Sequence, residues 1–189
     1  MAKNVSIKLL EDVKDDLKKK ESQFAKAINA TTSDFGRRGQ GWVSQEVRKV
    51  YGIDLKTIKG SYKGFKKDGK VKVGGVNIDN IKLNYNGRLL TITHFGMTPK
   101  VKPSKPYQIK AAVLKGSKKV VATNAFLASP KGVTLAWKRE GTERMPIKPI
   151  KTVSVPQMIT SKRTQPSIQK RIGEELTKRW EHNVRRFNK

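Results

Sequence analysis

The chain offers few side chains suited to proton transfer or metal binding. It has two histidines, His94 within TITHFG and His182 near the end, and no cysteine. Asp15 and Asp16 are adjacent, as are Glu174 and Glu175. Neighbours on a helix point to different sides, so neither pair forms the facing carboxylates that acid–base work requires. Disulfides and thiolate metal sites are excluded by composition. No HExxH, GxSxG or Walker-type loop occurs. Metal-assisted cleavage of DNA needs clustered carboxylates, and residues 80–139 carry no acid at all. The sequence therefore predicts no catalytic residue, no cofactor and no metal site, which argues against a nuclease.

What remains is charge. Lys and Arg total 42 against 15 Asp and Glu, a formal net charge of +27 over 189 residues. Such a balance opposes its own compaction unless a polyanion or an acidic partner neutralises it. The acid-free run from Asn80 to Arg139 holds twelve Lys or Arg. Those cations must face solvent, phosphate or acids from elsewhere. The residues expected to touch phosphate or a partner are Arg37, Arg38, Lys100, Lys102, Lys105, Lys118, Lys119, Lys148 and Lys151. Aromatics are few, six Phe, four Tyr and three Trp, and form no base-stacking cluster. Nucleic-acid contact should then be electrostatic and to the backbone rather than base-reading. GRRG at Gly36–Gly39 fits the backbone-clamping loop of KH modules. A long helix precedes it where that module has a strand, so the match carries little weight.

The elements that must position these residues follow from periodicity. Leu10, Leu17, Phe24 and Thr31 are seven apart, as are Ile28, Phe35 and Trp42, with Val13 near the same seam. This heptad-like stripe predicts an N-terminal helical region over 1–52. The glycines of GRRGQGW predict a kink or break, and Gly52 a C-terminal stop. Asp54 suits a cap for a short helix to Ile58. SYKGFKKDGKVKVGG reads as an exposed loop or arm. Then the period changes to two. Ile81, Leu83 and Tyr85 lead into Asn86-Gly87, a hairpin turn, with Leu90, Ile92 and His94 returning. Strands over 107–114, 120–128 and 133–138 complete an antiparallel meander of about five strands within 80–150. Pro166, capped by Thr164 or Gln165, starts a C-terminal helix over 165–187. Its apolar face is Ile168, Ile172, Leu176, Trp180, Val184 and Phe187. The fold class is α+β, read as a single domain over 1–189. No apolar run is long enough for a membrane-spanning helix, and no secretory leader is visible.

The segment ERMPIKPIKTVSVPQMI resembles the signature of the phage minor tail protein Z family. The matching residues are Arg144, Met145, Pro146 and Ile147, then Ser154, Val155, Pro156, Gln157 and Met158. The long N-terminal helix, Leu90–Gly96 and the Ala125–Ala128 strand are similar too. The resemblance covers residues 10–160. It implies a virion structural protein made in the host cytoplasm, a tail completion factor at the head-proximal end of a long tail. Its implied partners are the tail terminator, the tail tube and the head connector, with duplex DNA passing through the lumen. It also implies a homo-oligomeric ring, six-fold as tails commonly are. Pro146, Pro149 and Pro156 are expected to hold an extended edge segment. Ile147, Ile150 and Val155 would dock on the sheet, and Lys148 and Lys151 would face a partner or the lumen. Size, charge and low aromatic content suit a ribosomal or other RNA-binding protein equally.

Overall fold

A computed structural model describes the backbone of residues 3–73, 76–129 and 132–188, and their side chains except at 3–17, 67–68 and 70–81. The expected stripe at Leu10, Val13 and Leu17 and the side chain of Ile81 therefore lie outside the described residues. The element order is α1 (Lys3–Val50), α2 (Leu55–Ser61), β1 (Tyr62–Val73), β2 (Val76–Tyr85), a 3-10 turn (Ile92–Phe95), β3 (Lys110–Ala111), β4 (Lys119–Val120), β5 (Ala125–Ala128), β6 (Leu135–Arg139), β7 (Ile147–Pro149), α3 (Val155–Thr160) and α4 (Gln165–Phe187). This is the α+β arrangement read from the sequence, with a long first helix and a helical C-terminus. The strands fall into three small sheets: β1-β2, β3-β4 and β5-β6-β7.

The chain divides into two compact units. The first comprises the chain to Gly39, Gly64–Leu83, and Ile172 onward. Here Phe24 of α1 stacks on Trp180 of α4 with ring centroids 6.2 Å apart. Buried Asn183 donates to Thr31 Oγ1 at 3.1 Å and to Asp34 Oδ2 at 3.4 Å. Thr31 in turn donates to the Ala27 carbonyl, so its hydroxyl is used in both directions.

Of the kink or break expected at Gly36–Gly41, the break does not appear, and α1 is continuous through these residues. Packing explains why. A Cβ at Gly36 would lie 3.0 Å from the Phe65 ring, and one at Gly39 would lie 3.0 Å from Leu83 Cδ1. Two of the three glycines let the β1-β2 ribbon lie against the helix, and that packing outweighs their weak helix propensity. The loop expected over residues 61–75 is correspondingly the strand β1.

The second unit comprises Gln40–Lys63 and Asn84–Arg171. Trp42, Val43 and Val47 are buried on the last turns of α1, and Tyr51 is buried just beyond its end. Asp54 caps α2, accepting from Thr57 N at 2.6 Å, as expected. The Asn86-Gly87 hairpin does not form. Asn86 N donates to Ser61 O at 2.8 Å, and a Cβ on Gly87 would sit 3.3 Å from Ser61 Oγ. Residues 86–87 are thus held by the end of α2, and β2 pairs back with β1 instead. Ile92 to Phe95 turns as a 3-10 helix that buries Ile92 and Phe95. His94, read as a partly buried strand residue, is exposed there and lies 3.1 Å from Thr57 Oγ1.

The core of this unit gathers Ile92, Met97, Ile109, Ala111, Leu127 and Ala136. The strand expected over 107–114 shrinks to the pairs Lys110↔Val120 and Ala111↔Lys119. The strand expected over 120–128 splits into β4 and β5. β5, β6 and β7 form an antiparallel meander with Leu127↔Ala136 and Lys138↔Lys148 in register.

Candidate polyanion interface

Segment 144–158 does two jobs in succession. Its first half is an edge. β7 pairs with β6 alone within its sheet. Ile150 N donates inward to Ala136 O at 2.9 Å. In an antiparallel ladder the backbone polar groups alternate in direction, so positions 147 and 149 turn theirs away from β6. Position 149 is proline, which has no donor to offer a further strand. Beyond it the chain finds another partner, with Thr152 N donating to Leu90 O at 2.7 Å. The expected proline-guarded edge therefore exists over Ile147–Pro149. Ile147 and Ile150 are half-buried.

The second half is not extended. Val155 and Pro156 open helix α3. Ser154 is its N-cap, accepting from Gln157 N, while Gln157 Oε1 accepts from Ser154 N at 2.9 Å. This is a complete capping box. Proline fits the first turn, where its missing N–H has no helical partner to lose. Val155 and Met158 are fully buried. Buried Thr164, just before α4, turns its hydroxyl back to the Met158 carbonyl. The serine, valine, glutamine and methionine of this motif thus fasten α3 to the core. Arg144 and Pro146 are exposed.

The basic residues separate into groups. Arg37 and Arg38 are exposed on α1 in the first unit. In the second unit Lys100, Lys102 and Lys105 are exposed on the connection after Thr98, and Lys118 is exposed before β4. Lys119, Lys148 and Lys151 are brought to one region. Lys148 and Lys151 line an open cleft of about 420 Å³ with Lys138, Arg139, Glu140, Pro149 and Ile150. A neighbouring cleft of about 280 Å³ has Lys119 on its wall and shares Ile150 and Lys151 with the first.

Lys138, Arg139 and Glu140 were missed by sequence reasoning. Their relevance comes from register, since Lys138 stands directly opposite Lys148. Like charges in opposed positions destabilise a ladder unless something neutral or negative sits between them. Glu140 provides part of that, with its Oε1 2.5 Å from Lys148 Nζ. Both partners are substantially exposed, so the pair is worth about 1 kcal/mol at most. Arg139 lies over the Phe126 ring, 5.5 Å from its centroid. Among the described residues, no acid is paired with Lys119, Lys138 or Lys151.

Chemically the region can attract anions. Among the described residues no group of three His, Cys, Asp or Glu could hold a metal ion, and no described helix is long and apolar enough to cross a membrane. Comparison with protein-family models, with curated proteins and with solved structures finds no match for this chain.

Proposed function

We propose that this protein is a structural component of a phage tail, a completion factor at the head-proximal end that touches DNA through its phosphates. The observation that carries the polyanion part is the concentration of cations around the β6-β7 clefts, where among the described residues Lys119, Lys138 and Lys151 have no acid partner, in a chain of net charge +27. Nearby acids are too few to neutralise them, and a phosphate backbone supplies the missing charge without any base reading. The tail setting rests on the resemblance of residues 144–158 to the minor tail protein Z signature. Within that reading the tail terminator, tube and head connector are the protein partners, and a ring of identical copies, six-fold by analogy, surrounds the duplex.

Immunogold electron microscopy of particles from a host carrying the gene tests the setting. Label at the head-proximal end of tails is expected. Unlabelled particles, with the protein in the ribosomal fraction, would replace this reading with an RNA-binding one.

A further inference from the structure

We infer that the two clefts flanking Ile150 and Lys151 form one phosphodiester-binding groove in which Glu140 is a built-in competitor for the nucleic-acid backbone. The inference rests on the polyanion reading above and names its site.

The two clefts share Ile150 and Lys151; Lys119 lines one, Lys138, Arg139 and Lys148 line the other, and Lys151 lines both. Cations distributed over two adjoining clefts suit a ligand with regularly repeated charge better than a compact anion. The positions are set by the backbone. Lys138 and Lys148 are opposed in the ladder, so they are held close together whatever their side chains do. That proximity stores repulsion, which a bound phosphate relieves. Glu140 occupies the role at present through its contact with Lys148. A phosphate entering beside Lys148 must displace that carboxylate. Glu140 therefore weakens the groove for nucleic acid and makes release of the duplex easier as salt rises.

The test is fluorescence-anisotropy binding of the full chain to a short labelled duplex across a salt series, with circular dichroism confirming the fold of each variant. Three variants are compared with the wild type: K138Q/K148Q/K151Q, the equally neutralising K100Q/K102Q/K105Q, and Glu140→Gln. Removing one cation from a phosphate lowers the log–log salt slope by about 0.9. The cleft triple should lower the slope by about 2 to 3, and the loop triple by less than about 1. Glu140→Gln should bind roughly two- to fivefold tighter at low salt, the range of one exposed ion pair. Equal reductions in both triples would overturn the groove while leaving the polyanion reading intact. Glu140→Gln binding no tighter than wild type would overturn the competitor role. A wild type that binds polyglutamate but neither duplex nor single-stranded nucleic acid would overturn the groove and the nucleic-acid reading together.

Discussion

Replacing Gly52 by alanine should destabilise the protein far more than its place after a helix suggests. The sequence assigns Gly52 to a helix stop, but its backbone is not in the left-handed region. The carbonyl oxygen of Ala112 would lie 2.3 Å from an added Cβ, whereas ordinary contact begins at 3.4 Å. The two backbone segments would have to part by about 1 Å. They are joined at that point by Gly52 N donating to Val113 O at 3.0 Å, a bond that such a shift would break. Overpacking of this kind costs about 1–3 kcal/mol, and breaking the bond about 1 kcal/mol more. Restricting the unfolded chain returns about 0.4–1 kcal/mol. The net is about 2 kcal/mol, or a Tm lower by roughly 4–8 °C for a chain of this size. Thermal unfolding by circular dichroism reads it. Gly60→Ala is the control: it lies in α2 with open space around its Cβ position and should raise Tm slightly. A drop of less than about 2 °C for Gly52→Ala would show that the close approach to Ala112 constrains nothing.

Ser154→Ala removes the cap of α3 and should cost about 1 kcal/mol in chemical denaturation. Combined with Gln157→Ala it should cost less than the sum of the single effects, because each residue bonds the other's backbone; strict additivity would count against the reciprocal box. Asn183→Leu strands the Asp34 and Thr31 oxygens it now serves and should destabilise by about 1–3 kcal/mol, with unchanged stability arguing that α1 and α4 do not need that link. Tyr85, whose hydroxyl is buried without a hydrogen-bond partner, has its ionisation pushed upward by burial and then by neighbouring Tyr62, itself raised by burial. Both phenols stay protonated in the folded state when unfolded tyrosine ionises near pH 10. The unfolded chain then releases protons that the folded one keeps, so stability is full below pH 10 and falls as pH rises above it. A spectrophotometric titration in which all four tyrosines of the folded protein ionise together near pH 10 would contradict this.

Much of the architecture was present in local signals. The apolar spacing from Phe24 to Trp42 marks α1, Asp54 marks the start of α2, and Ile168 to Phe187 marks α4, because helical periodicity and caps act over a few residues. Pairing was less legible. Asn86-Gly87 carries a hairpin signal, yet the Ser61 carbonyl takes the Asn86 amide, and β2 joins a β1 whose composition suggests a loop. GRRGQG reads as a break, but Phe65 and Leu83 fill the notches that Gly36 and Gly39 leave in the helix. Turn and helix propensities are worth about 1 kcal/mol or less per residue, and tertiary packing readily exceeds that.

The candidate site divides along the same line. The sequence alone determined the sign and amount of charge, the absence of acids over residues 80–139, and a proline-rich segment carrying Lys148 and Lys151. Charge and proline geometry belong to single residues and need no partner to be read. The capping-box pattern of Ser154 and Gln157 is also local, although the prolines around it suggest an extended strand; the structure shows it opening α3. Only the tertiary structure decided which lysines meet: it set Lys138 opposite Lys148, brought Glu140 into contact with Lys148, and put Lys119 and Lys151 on the wall of one cleft. Register is a relation between strands distant along the chain, and a shift of one residue would have set Lys148 against a neighbour of Lys138 on the other face.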